Sequence, residues 1–519
     1  MSSKVNEALF DLIQSMSKSE KRYFKLMSSR HKIGEENNYV VLFDFIDKQD
    51  VYNEDEIFKS FDGAAFLNRF SITKKRLYDH ILSSLDSFHI SNSIEAQLFK
   101  SLHSADILFE KSLYDQSRRV LRSAEKLASK HEKSEILLLI SKKQKRLLET
   151  SGYLDVSEKN FVDLFEKEEL SLKAIQVYNR LWTIKSRLFA YLSKKGVARS
   201  QNEIEEYQVI CNDLFIDVDA WQVNTEVKYL YHHTLSAFYY AVGNLQESLD
   251  HLKVNLEYIE SNKAGFNIEL NKQVSVYTNA IYVSDKLGYH KDSIAYLKRL
   301  KKMAQGMDSN EDIAIKLFSS ISSIEFSMSL KKGDFSNAQV IAERVEQKLE
   351  VYGDKIVPIR RAFLEFKMAV VCMGNANYSD ALKWVNRILN DSNLDKTEDI
   401  IGFTQLLDLL IHIELNHDKL LPYSLKSTLR FFKTRNRLYN FEKVFLQFIS
   451  KLIKCDDRFE VETIWEELFN ELGTITDDNF ESVALEYFDF TAWAESKLKR
   501  KSFDLVIREK YNKNLRKAS

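Results

Sequence analysis

The chain has 519 residues, 29% of them charged and 44% hydrophobic, a balance that excludes general disorder. Its 75 Lys and Arg against 76 Asp and Glu leave a formal net charge of -1, which excludes a protein that coats nucleic acid nonspecifically, since that needs a large positive surplus. Two prolines and 13 glycines are few for this length and predict long helices rather than strands joined by turns, so the expected class is all-α.

In chain order, residues 1–95 read as a helical head. Ser17-Lys-Ser-Glu20 has the form of a capping box, in which the serine oxygen takes one backbone donor and the glutamate reaches back to another. A helix is predicted from about Lys18 to Arg30. Asn53 to Glu56 repeats that logic before a short run from Ile57 to Phe61, which Asp62-Gly63 breaks. A longer amphipathic helix is predicted from about Thr73 to His89, with Leu77, Ile81, Leu85 and Phe88 on one face.

Residues 96–395 carry repeats. Gly243, Gly288 and Gly333 lie 45 residues apart, and each opens a similar phrase: Gly243-Asn-Leu-Gln-Glu-Ser248, Gly288-Tyr-His-Lys-Asp-Ser293, Gly333-Asp-Phe-Ser-Asn-Ala338. A fixed period of this kind is what stacked helical hairpins require, because one hairpin cannot bury its apolar face alone. The glycine ends one helix in a left-handed conformation, and the small residue five positions later admits close packing of the next. Asn377-Tyr378-Ser-Asp-Ala381 continues the series, Leu113-Tyr114-Asp-Gln-Ser117 and Gly152-Tyr153 read as degenerate copies, and Gly196 is a candidate for another. Six or seven hairpins of helices roughly 25 to 30 Å long are expected to form a curved rod. Residues 396–519 read as a helical cap with a basic tail, which from Lys497 to Ser519 holds nine Lys and Arg against Asp504 and Glu509. Leu498, Phe503, Leu505, Val506 and Ile507 favour a capping helix there over an electrostatic contact for RNA or a membrane surface. From Tyr423 to Asn440, arginines beside Phe431 and Phe432 read as cations over rings.

The repeated phrase, with large apolar residues at Leu252, Leu297 and Val385, resembles the central turn of the tetratricopeptide repeat. These units are longer than that family's and lack its closing proline. The resemblance implies a tetratricopeptide-like α-solenoid whose first helices line a groove for a protein or peptide partner. Carried onto the glycine register, it implies groove residues His233 and Tyr240; Ser275, Thr278, Tyr282 and Asp285; and Ser320, Ser323, Ser327 and Lys331. The last two sets, being polar, are expected to face water or a ligand, because an unpaired buried hydroxyl costs about 1 to 3 kcal/mol. The phrases Met16-Ser-Lys-Ser-Glu-Lys-Arg-Tyr-Phe-Lys25 and Tyr487-Phe-Asp-Phe-Thr-Ala-Trp493 also look like those of repeat proteins from Bacteroidetes bacteria, a likeness that implies no activity.

No Gly-rich phosphate loop, Gly-x-Ser-x-Gly elbow or His-Glu-x-x-His is present, so no enzyme, cofactor or metal is expected. His412, Glu414 and His417 have offsets that do not share one helical face, and adjacent His232 and His233 point apart. Three scattered cysteines fit a reducing compartment, and no apolar run approaches the roughly 18 residues of a membrane span, so a cytoplasmic location is expected. The leading expectation is a protein-binding scaffold. The alternative is a transcriptional regulator whose head forms a helix-turn-helix, with Lys74, Lys75, Arg76 and His80 on its last helix and Asn68 or Tyr78 near base edges. Against it, residues 1–100 hold 14 Lys and Arg and 15 Asp and Glu, so nucleic acid is the disfavoured partner.

Overall fold

A computed structural model describes residues 7–29, 38–90, 93–153, 157–216, 218–261, 269–305, 310–395, 399–455, 458–475, 477–478 and 480–518. Among these residues the regular structure is helical throughout, with no strand, as the scarcity of turn residues predicts. The chain divides into two compact units, residues 1–172 with 306–311 and residues 173–305 with 312–519.

In the first unit, α1 (Ala8–Ser15), α2 (Lys18–Ser29), α3 (Asn38–Asp47), α4 (Glu54–Ser60) and α5 (Phe70–His89) enclose a core that includes Ile13, Phe24, Phe43, Ile57, Leu77 and Ile81. Both predicted caps are made. Ser17 N donates to Glu20 Oε2 at 2.7 Å while Glu20 N donates to Ser17 Oγ at 3.3 Å, and Glu56 N donates to Asn53 Oδ1 at 3.3 Å. Arg30, the predicted end of the second helix, lies outside the described residues. Lys74 is committed to Glu54 at 2.7 Å and lies 4.9 Å from the Phe70 ring centroid, while Lys75 and Arg76 are exposed. A second core joins α6 (Ile94–Glu110), α7 (Tyr114–Lys130) and α8 (Ser134–Thr150) through Leu98, Leu102, Leu121, Ile136 and Ile140.

Gly152 and Tyr153 take left-handed φ of +62° and +60° after α8, and Gly196 takes +71°. The stretch between them departs from the expected hairpin. It is one helix, α9 (Glu158–Lys195), because no glycine, proline or left-handed residue interrupts those 38 positions.

The second unit continues with α10 (Gln201–Cys211) and α11 (Asp213–Ile216), then with antiparallel pairs. These are α12 (Thr225–Ala241) with α13 (Leu245–Ser261), α14 (Leu270–Lys286) with α15 (His290–Ala304), α16 (Glu311–Lys331) with α17 (Phe335–Tyr352), and α18 (Pro358–Gly374) with α19 (Tyr378–Asn390). Gly243, Gly288 and Gly333 take φ of +81°, +81° and +70°, and Ala376 takes the same role at +56°. The small residue of each phrase is buried: Ser248, Ser293, Ala338 and Ala381. Ser248 Oγ donates to Ser236 O at 2.8 Å, and Ser117 Oγ makes the same bond to Ala105 O at 2.9 Å, each reaching twelve residues back across its hairpin. By length and composition α16 is the one described helix apolar enough to cross a membrane, yet Ile313, Ile315, Leu317, Ile324 and Phe326 are buried within the unit.

The chain then runs through α20 (Asp399–Glu414), α21 (Leu421–Thr434), α22 (Asn440–Lys454), α23 (Arg458–Ile475), α24 (Phe490–Lys499) and α25 (Phe503–Ala518). Asn416 and Asn436 take left-handed φ of +52° in two of these turns, asparagine being the non-glycine residue that tolerates it best. Phe503, Val506 and Ile507 of α25 pack on Phe335 and Ala492. Arg435 stacks 4.0 Å over the Phe431 ring.

Candidate functional site

The first helices of successive hairpins share one side, and a cavity of about 420 Å³ opens there. They contribute Tyr240 from α12, Tyr282 from α14, Ser323 and Ser327 from α16, and Ile359, Phe363, Phe366 and Lys367 from α18. The end of α9 supplies Phe189 and Leu192. Val483, Glu486 and Tyr487, which precede α24, form a further wall. This side is therefore not open along its length, because the chain's own C-terminal region returns across it. A smaller space of about 260 Å³ adjoins past Thr278, and one of about 580 Å³ lies on the far side of Glu486 and Tyr487.

The returning segment is held by specific bonds. Lys286 sits 4.9 Å from the ring centroids of both Tyr240 and Tyr282 and forms an ion pair with Glu486. Tyr282 OH donates to Glu486 Oε2 at 3.4 Å. Tyr487 stacks on Phe403 with 3.9 Å between centroids and donates to Asp399 Oδ2 at 2.8 Å. Burial first, and neighbouring carboxylates second, push the Tyr487 phenol well above its ordinary range, so it stays a donor. Asp399 in turn pairs with Arg437 at 2.6 Å. Beside it, Arg199 reaches Glu442 and Glu481, with Nη2 3.1 Å from each; the Arg199 and Glu442 side chains are 3% and 0% exposed.

Lys367 differs from Lys286, Lys331 and Lys510, the other lysines that line these spaces, each of which pairs with a carboxylate. Among the described residues it has neither a hydrogen bond nor an ion pair, and burial pushes its amine down to about 8, against the opposing charge of Glu486. A second cationic group comprises Lys185, 5.6 Å from the Phe189 centroid, Lys316, which donates to Asn271 O at 2.8 Å, and Arg360. Burial lowers the pKa of all three, and mutual repulsion adds to it for Lys316.

The residues implied by the glycine register fall into three groups. Tyr240, Thr278, Tyr282, Ser323 and Ser327 line the cavity and its smaller neighbour. Asp285 and Lys331 line the third space and pair with each other at 3.0 Å. His233, Ser275 and Ser320 line none of the three. His233 is buried with its ring stacked between Phe189 and Tyr229, and its pKa is pushed down to about 3 by burial and then by Lys185, so it is neutral packing. The Ser275 and Thr278 hydroxyls donate to Asn271 O at 3.1 Å and Val274 O at 2.7 Å within their own helix, so neither needs water or a ligand to be satisfied.

Sequence reasoning missed Lys286, Phe363, Phe366, Lys367, Glu486 and Tyr487. Lys286 was within reach, since it lies four residues after Tyr282 on one helical face. Counting back thirteen and ten from Ala376 reaches Phe363 and Phe366, but an alanine gives no sign of a left-handed turn. Nothing in the local pattern marks Glu486 or Tyr487. His232 has a partner that sequence spacing did not reveal, His251, with Nδ1 to Nδ1 2.9 Å; among the described residues no cluster of three or more His, Cys, Asp or Glu is placed to hold a metal. No family model, curated protein or solved structure matches this chain.

Proposed function

We propose that the chain is a non-enzymatic binding protein, a cytoplasmic tetratricopeptide-like α-solenoid that holds a partner protein on the side where its first helices meet. One observation carries this reading: four successive hairpins with the same left-handed turn send residues of their first helices to one apolar concavity. A preformed surface of that kind binds by shape and hydrogen bonding, without a covalent step.

A photoreactive benzoylphenylalanine placed at Ser320, and separately at Lys331, tests this in the native cell. A discrete protein adduct is expected from at least one position, and Tyr240→Ala with Tyr282→Ala should abolish it while the helical circular dichroism persists. Absence of any protein adduct from both positions overturns the reading.

A further inference from the structure

The cavity beside Lys367, part of the concavity on which the proposed function rests, has the properties of a small-molecule site in its own right. Its walls are mostly apolar: Phe189, Leu192, Ile359, Phe363 and Phe366. Its volume of about 420 Å³, with about 260 Å³ adjoining, falls within the roughly 300 to 1,000 Å³ typical of small-molecule sites. Residues of α9, of the four first helices and of the segment 483–487 line it.

The charges on its wall do not cancel. Glu486 is compensated by Lys286 and by the Tyr282 hydroxyl, and Asp399 by Arg437 and the Tyr487 hydroxyl. Lys367 lines the cavity with neither a hydrogen bond nor an ion pair of its own among the described residues, and Glu486, the carboxylate whose charge acts on it, is already engaged by Lys286, an arrangement that is costly unless an anion arrives from outside. The geometry points to a binding site for an anionic amphiphile, a long-chain carboxylate whose head pairs with Lys367 Nζ and whose tail lies along Phe363, Ile359 and Phe189. A neutral apolar ligand would leave the ammonium unpaired. A small hydrophilic anion would leave the aromatic walls bare.

Titration calorimetry of the purified full-length protein with oleate, below its micelle concentration, tests the site. Saturable one-to-one binding is expected, weakened at least tenfold in Lys367→Met and in wild type with methyl oleate, and changed less than threefold in Lys185→Met. Lys367→Met should keep the wild-type circular dichroism and melt no lower, because it removes a desolvated charge. Absence of saturable oleate binding overturns the proposal. So does equal binding by a folded Lys367→Met protein, a larger loss in Lys185→Met than in Lys367→Met, or saturable binding of an acidic peptide with none of oleate. The measurement uses no protein partner, so its failure leaves the adduct test untouched.

Discussion

The hairpins from α12 to α19 and the region from α20 to α25 use the same helices but are joined by different forces. In the hairpins, neighbours in sequence are neighbours in space, and the joints are backbone turns and small residues: a left-handed residue, then Ser248, Ser293, Ala338 or Ala381 under the next helix. In the later region the decisive contacts join distant segments through buried charge and aromatic rings, as Arg199 does with Glu442 and Glu481, and Tyr487 with Asp399 and Phe403. The first kind of joint repeats and tolerates local change. The second occurs once and has no spare copy, so the two regions should respond differently to mutation.

The largest effect should come from Arg199→Met. Removing one partner of a buried pair strands Glu442 and weakens the hold on Glu481, a loss of about 3 to 5 kcal/mol, read as a lower urea midpoint. Arg199→Met with Glu442→Leu should recover part of it; no recovery would show that the contribution comes from Glu481 and Phe480 instead.

Asp408 of α20 supplies the next. Burial pushes its carboxyl up to about 6, above its unfolded value near 4. The folded state therefore prefers the protonated acid, so this contribution is present below about pH 4 and is lost as pH rises toward and through 6. At about 1.4 kcal/mol per pH unit the loss approaches 3 kcal/mol. Asp408→Asn should melt higher than wild type at pH 8 and close to it at pH 4. An equal difference at both values would mean that His412, 3.6 Å away, compensates the charge.

Within the repeated turns, Gly333→Ala and Gly243→Ala separate the two kinds of joint directly. Both glycines are left-handed, which costs a non-glycine residue about 1 to 2 kcal/mol. A Cβ at Gly243 meets nothing within 4 Å, whereas one at Gly333 meets Arg508 N at 2.9 Å and Asp504 O at 3.0 Å in α25. Gly333→Ala should lower the melting temperature more, and release of α25 should appear as faster amide exchange there; equal losses would show that α25 yields freely. The smallest effect is a gain. Ala376→Gly relieves a left-handed alanine in the fourth turn and should stabilise by up to about 1 kcal/mol.

Much of the repeat was legible because its cause is local. Gly243, Gly288 and Gly333 announce left-handed turns that few other residues accept, and Ser17, Glu20 and Asn53 announce helix starts by bonds three residues long. The reading failed where a local cue was absent or misleading. Gly152 and Gly196 look like a repeat period, yet without a breaker between them one helix continues. Ser112, Glu132 and Ala376 close turns in a conformation their side chains do not advertise. Of the candidate site, Tyr240, Tyr282, Ser323 and Ser327 followed from the register, whereas Lys367 and the wall at Glu486 and Tyr487 did not.

By itself, then, the sequence determined the helical class, the cap residues and the period of the central hairpins, because those depend on backbone conformation and on side chains within one or two turns. Only the tertiary structure decided that residues 483–487 return across the first helices, that Arg199 joins segments more than 240 positions apart, and that Lys367 lines the cavity without an ion pair of its own among the described residues. Ion pairing and aromatic stacking act over a few ångströms whatever the separation along the chain, so their partners are settled by where the helices pack and leave no period to read.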